Sequence, residues 1–182
     1  MVVFFLRVYI LLLLSLPATV LAAFNINTAQ THLQEGVYLL NADLDYKLTE
    51  ETVKALNSGV PLTLVLSVEV DQERWYWDKN IALLKQRYRL RYYSLTSQYR
   101  LTYLNTGIQE NFSDLADVLK MLNRLKDFPL LDEALIENEE GYWVYLRILL
   151  DIEALPAPLR PTAYFSSQWH LVSDWYKCAL EK

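Results

Sequence analysis

The chain has 182 residues, 53% of them hydrophobic and 21% charged, and a formal net charge of −5. That length and balance describe one globular domain, large enough to bury a core without disulfide staples. The acidic balance argues against general nucleic-acid binding, which draws on a cationic surface. Tyr (13) and Trp (5) are abundant while Gly (4) is scarce, a composition that suits pleated strands and disfavours glycine-rich phosphate loops. The single cysteine, Cys178, has no internal disulfide partner. It reads as an incidental thiol near the C-terminus, with cross-linking of two chains as the alternative.

The N-terminus carries a targeting pattern. Arg7 is the only charge ahead of an apolar run from Val8 to Leu16, Pro17 interrupts that run, and Val20-Leu21-Ala22 places small residues where a signal peptidase reads. Residues 1–22 are therefore expected to be a signal peptide cleaved after Ala22, with cleavage after Ala23 also allowed. The alternative is an uncleaved anchor to the inner membrane, although residues 8–23 fall short of the ~20 apolar residues a spanning helix needs. No cysteine lies near the site, so a lipoprotein signal is excluded. A periplasmic or otherwise exported protein follows, touching the membrane only through residues 1–23 if these stay attached.

Residues 23–182 read as a single domain. Over Val37–Lys47, Tyr38, Leu40, Ala42, Leu44 and Tyr46 alternate with polar residues, as in a half-buried strand. Thr49 is placed to cap a short helix with Glu50 and Glu51 in its first turn and Gly59 past its end. Leu62, Leu64, Leu66, Val68 and Val70 form the buried face of the next strand. Residues 86–104 predict a hairpin in which Tyr88 and Tyr92 meet Tyr99 and Tyr103 across the ladder. Ser113 is expected to cap a second helix carrying Leu115, Val118, Leu119, Leu122 and Leu125 and stopped by Pro129. The acidic stretch 132–141 reads as an exposed loop, Val144–Ile152 as another alternating strand, and Pro156, Pro158 and Pro161 as marking a stiff extended connection. Alternation from Trp169 to Trp175 suggests a last strand. The lack of strictly alternating βαβ units argues against a parallel doubly wound sheet. The expected fold is mainly β (α+β): an antiparallel, sandwich-like domain with two helices at its side or end.

A search for chemistry is mostly negative. There is no Gly-x-Ser-x-Gly elbow, Cys-x-x-Cys, His-Glu-x-x-His or Gly-x-x-x-x-Gly-Lys run, so no catalytic, metal or cofactor residues are assigned and no cofactor is expected. Asp43 and Asp45 suit a solvated strand face, with a weakly held divalent cation as the sharper alternative. His170 and Asp174 are spaced for a helix but sit in a predicted strand. Asn111-Phe112-Ser113 matches a glycosylation acceptor, a pattern too common to weigh alone. What remains is a candidate interaction surface: Trp75, Trp77, Arg87, Arg89, Arg91, Trp169 and Trp175. Trp75 and Trp77 either cover the sheet or form an aromatic platform for a partner or glycan. The segment 79–100 holds six cations and no acid: Lys79, Lys85, Arg87, Arg89, Arg91 and Arg100. These cations either pair with Glu69 and Asp71 on a neighbouring strand and hydrate an outer face, or they contact anionic head groups or an acidic partner surface.

The run Ser58-Gly59-Val60-Pro61-Leu62-Thr63-Leu64, then Trp75-Tyr76-Trp77-Asp78 and Arg87-Tyr88-Arg89-Leu90, resembles the DUF4390 family of bacterial proteins. Leu104-Asn105-Thr106-Gly107, the run Leu149 to Pro156 with Leu159-Arg160-Pro161, and Ser173-Asp174-Trp175-Tyr176 continue the resemblance in order. It implies a bacterial, exported setting and brings no catalytic residues. It also implies an association with a membrane histidine kinase, hence a signalling-accessory role. The expected function is a non-catalytic macromolecular binding domain of the envelope whose partner is a membrane histidine kinase or other envelope protein. A small-ligand or lipid carrier and a cell-wall-acting enzyme are the alternatives.

Overall fold

The computed structural model describes residues 24–137 and 141–181. The expected signal peptide or anchor therefore lies outside the described residues, as does part of the acidic stretch. The chain runs β1 (Phe24–Gln34), β2 (Val37–Tyr46), α1 (Glu50–Asn57), β3 (Leu62–Gln72), β4 (Lys79–Tyr93), β5 (Gln98–Tyr103) and β6 (Gln109–Phe112). It continues as α2 (Leu115–Leu122), β7 (Arg124–Asp132), β8 (Tyr142–Leu150), α3 (Arg160–Phe165) and β9 (Tyr176–Ala179), with short 3-10 turns between the last elements. Two antiparallel sheets result, one of three strands in the order β1-β2-β7 and one of six in the order β6-β5-β4-β3-β8-β9. The architecture is α+β and sandwich-like, as the alternation predicts.

The core lies between the sheets. Tyr38, Leu40, Ala42, Leu44 and Tyr46 of β2 face the even-numbered row of β3, from Leu62 to Val70, and Val144, Leu146, Ile148 and Leu150 of β8, within one buried cluster. The tyrosine ladder forms as expected: Tyr88 is opposite Tyr103 and Tyr92 opposite Tyr99, with ring centroids 5.4 and 4.8 Å apart. Local signals also hold. β1 turns into β2 through Glu35 and Gly36, both at positive φ (52° and 80°), the conformation a two-residue hairpin needs. At the start of α1, Thr49 Oγ1 accepts from the Thr52 amide. At its end Gly59 (φ 88°) donates to Leu56 O and Val60 to Ala55 O, which is a Schellman closure.

Four expectations are corrected. The second helix is capped by Asp114, not Ser113, and stops at Leu122. Leu125 then pairs with Ala42 in β7, and Pro129 sits in that strand instead of ending a helix; β7 is a sheet edge, where a missing N–H costs no ladder bond. Asn123 makes the switch by accepting Tyr46 N–H on its side chain and Leu44 N–H on its carbonyl. The proline segment is not extended: it coils through 3-10 turns into α3, a third helix, with Pro161 in the first turn where its ring is tolerated. The tail strand is Tyr176–Ala179 rather than Trp169–Trp175. Finally, β3 is buried on both faces, since Thr63, Val65 and Ser67 are as covered as the leucines.

Candidate functional site

The cover over Thr63, Val65 and Ser67 comes from long side chains on the flanking strands. The inner face of the six-stranded sheet meets the smaller sheet, while its outer face is open. On that outer face Arg89 stands opposite Thr63, Arg87 opposite Val65 and Lys85 opposite Ser67, with their charged ends exposed. From the other side β8 places Leu149 against Val65, Arg147 against Ser67 and Tyr145 against Glu69. The aliphatic stems roof the strand and the charged ends reach water. This register decides between the two readings of the cationic segment. Glu69 lies between Leu83 and Tyr145, and Asp71 between Asn80 and Trp143. Asp71 accepts a hydrogen bond from Asn80 Nδ2 at 2.8 Å. The arginine row and the acids occupy different stretches of one face, and among the described residues no cation of the segment forms an ion pair with Glu69 or Asp71. Among the described residues Arg87 is the one cation of the segment that finds a carboxylate, Asp151 Oδ2 at 3.6 Å.

At one end of the face, Arg91 of β4 is directly opposite Arg100 of β5, and Arg89 is opposite Thr102. Both opposed guanidiniums lie over the Tyr93 ring, Arg91 at 5.2 Å and Arg100 at 4.4 Å from its centroid. Arg100 also donates to Asn111 Oδ1 (3.0 Å) and Tyr93 Oη (3.5 Å). Pro61, Ala154, Thr102 and Gln109 complete the lining of a cleft of about 340 Å³ beside these arginines. Among the described residues, no carboxylate lies within 4 Å of Arg89, Arg91 or Arg100. At the other end the cations rest on aromatic rings. Lys177 Nζ is 4.0 Å from the Trp143 centroid and 5.5 Å from Tyr145, and Arg147 is 5.5 Å from Trp175. Such an arrangement presents oriented N–H donors and flat apolar rings together.

A family model described as "Domain of unknown function (DUF4390)" matches residues 22–179. The chain belongs to the DUF4390 family. No curated protein and no solved structure matches it. The open cationic face of this DUF4390 chain is built from strands inside the matched span.

The sequence-named residues divide. Arg87, Arg89, Arg91 and Trp175 share the outer face. Trp75 (93% exposed), Tyr76 and Trp77 (68%) stand out on the β3–β4 connection and do not cover the sheet. Their rings stack edge-on in series, centroids 4.8 and 4.2 Å apart. Trp169 is no surface residue. It is buried, its Nε1 donating to Glu51 Oε1 at 2.8 Å, because the chain coils there where a strand was expected. The acid pair is dispersed: Asp45 meets Lys47 Nζ at 2.7 Å and Asp43 accepts from Asn27. No hydrogen bond or ion pair joins His170 to Asp174 among the described residues. Asn111 of the glycosylation pattern is held by Arg100. Among the described residues no three His, Cys, Asp or Glu gather as a metal site, and no helix is long and apolar enough to cross a membrane. Sequence reasoning missed Arg147, Lys177, Trp143 and Tyr145 as members of the face. Alternation put Tyr145 and Arg147 on one side of their strand, but only the β3-β8-β9 order sets them beside the arginines.

Proposed function

We propose that this chain is a non-catalytic binding domain of the bacterial cell envelope, exported or held at the inner membrane by residues 1–23. It docks an acidic surface of another envelope protein, such as the periplasmic part of a membrane histidine kinase, on the open face of the six-stranded sheet. The observation that carries this reading is the cationic face itself. In a chain of net charge −5, Lys85, Arg87, Arg89, Arg91, Arg100, Arg147 and Lys177 share one side of one sheet with only Glu69 and Asp71 among its strand residues, and among the described residues the one ion pair made by these cations is Arg87 to Asp151. Roofing β3 uses the aliphatic stems alone, whereas gathering the charged ends on one face costs repulsion. Arg, Trp and Tyr are also the residues that concentrate binding energy at protein interfaces. The interior is a less suitable binding element, since the rows facing each other between the sheets are fully buried side chains.

The test is a photoactivatable cross-linker at Leu83, an exposed position on the face. In the native host the full chain should capture one dominant envelope partner. The double variant Arg147→Glu/Lys177→Glu, folded by circular dichroism, should lose that capture. Equal capture by wild type and variant, or none by either, overturns the proposal.

A further inference from the structure

The opposition of Arg91 and Arg100 is the least expected feature of the surface. Directly opposed side chains on paired strands have Cβ atoms only about 5 Å apart, and like charges there destabilise the pair. Arg89 adds a third guanidinium two residues along β4 on the same face. Stacking on Tyr93 holds two of the three planes but neutralises nothing. Thr102 and Gln109, a hydroxyl-bearing and an amide-bearing residue, line the same cleft. A carboxylate saturates one guanidinium fork, whereas a phosphate group offers three oxygens and up to two charges. Three uncompensated guanidiniums around one concavity match the second ligand better than the first.

We infer that Arg89, Arg91 and Arg100, with Thr102 and Gln109, form a binding site for a phosphate group, carried by a soluble phosphate ester or by a lipid headgroup. This deepens the reading of the outer face as a binding surface and rests on it. The site uses the end of the face away from Arg147 and Lys177, so the two can fail separately. The phosphate takes two guanidinium forks from Arg91 and Arg100, and Arg89 closes on the remaining oxygen. Binding relieves the opposition between the two facing charges.

The experiment is calorimetry on the full chain at low ionic strength, with inorganic phosphate and then acetate as probes. Phosphate should bind saturably, one per chain, and acetate should not. Arg91→Gln and Arg100→Gln should each weaken phosphate by about tenfold, as the loss of charge-assisted hydrogen bonds predicts. Arg91 is exposed and Arg100 partly exposed, and unchanged circular dichroism confirms that the variants fold. A second arm sediments the chain with phosphatidylcholine vesicles, alone or containing phosphatidic acid. Cosedimentation that needs phosphatidic acid and is reversed by inorganic phosphate supports a lipid source; phosphate binding without cosedimentation supports a soluble one. Equal binding of acetate and phosphate, or phosphate binding unchanged in both variants, overturns the site. If phosphate binding fails while the Arg147/Lys177-dependent cross-link persists, the phosphate site falls and the docking face stands.

Discussion

The indole nitrogen of Trp169 donates to Glu51 Oε1 at 2.8 Å, joining residues 118 positions apart. Beside it Thr49 Oγ1 donates to Gln168 O and Ser166 Oγ to Glu51 Oε2, so the first turn of α1 is tied to the segment that follows α3. Trp169 is buried in the core cluster. Replacing it with Ala opens a cavity and should cost about 3–5 kcal/mol. Phe fills most of the space but leaves Glu51 without its donor, and should cost about 1–2 kcal/mol. Urea unfolding of the two variants checks the ranking, and equal costs would mean that the hydrogen bond contributes nothing.

Arg91 and Arg100 predict a gain where most substitutions lose. Arg91→Gln removes one of two directly opposed charges and keeps Arg100 on the Tyr93 ring. In low-salt buffer the variant should be more stable than wild type by a few tenths of a kcal/mol. Added salt screens the repulsion, so the advantage should disappear as ionic strength rises. Arg87→Gln is the contrast, because Arg87 has Asp151 as a partner and its removal should not stabilise. Thermal melts across a salt series read both effects.

The contrast between those two arginines also shows what the sequence could and could not reveal. Period-two alternation identified β2, β3, β8 and the tyrosine hairpin because each carries a continuous apolar row on one face. It did not identify β1, whose buried positions are broken by a register shift between Ile26 and Thr28 and whose middle is exposed. Helix spacing over-extended α2, since Leu125 fits a helical stripe as well as a strand row and only pairing with Ala42 decides. The arginine row was legible as an exposed face. Its lack of counter-charges was not, because that depends on which residues of β3 and β8 lie opposite. Trp169 and Trp175 were equally plausible surface aromatics in sequence; coiling of the segment before Trp169 buries one and leaves the other beside Arg147.

Alkaline unfolding should report the tyrosine ladder. Burial, reinforced by Tyr103, pushes the Tyr88 hydroxyl up to about 12, and burial with Glu110 does the same for Tyr103. Tyr46, enclosed in the core, is raised as well. These groups ionise near 10 in the unfolded chain, so between pH 10 and 12 the folded state holds protons the unfolded state releases. Their contribution to stability is complete below pH ~10 and is lost as pH rises through the folded values. Tyr88 can contribute at most about 1.4 kcal/mol per pH unit in that window, and the more exposed Tyr103 less. Tyr88→Phe should flatten the fall, measured by denaturant titrations at pH 9 to 12.

Cys178 lies in β9 opposite Val144, half-buried, and burial followed by Glu181 lifts its thiol to about 11. The nucleophilic thiolate is then roughly a hundredfold scarcer at neutral pH than for a cysteine at the ordinary value of 9.0. Reaction with a thiol reagent at pH 8 should be slow in the folded chain and should accelerate to the free-cysteine rate in urea. Oxidised protein should run as a monomer on a non-reducing gel. Ready formation of a disulfide-linked dimer would contradict this burial and revive the cross-linking role.

Trp75 and Trp77 should behave as the opposite of Trp169. Their rings touch Tyr76 and little else, beyond the end of the sheet. The double substitution Trp75→Ser/Trp77→Ser therefore removes no core contact and should change stability by no more than about 0.5 kcal/mol. The same residues should dominate quenching of tryptophan fluorescence by a neutral quencher such as acrylamide, because Trp169 is shielded and Trp143 and Trp175 are partly covered by Lys177 and Arg147. Loss of most quencher-accessible emission in the double variant, with an unchanged unfolding midpoint, is the expected pair of results. A fall of several kcal/mol would instead place the two rings in packing, which their exposure argues against. Exposed aromatics of this size are unfavourable in water unless something covers them part of the time. The double variant should therefore also be tested in the cross-linking assay, where weaker capture would extend the docking surface from the sheet face to the β3–β4 connection.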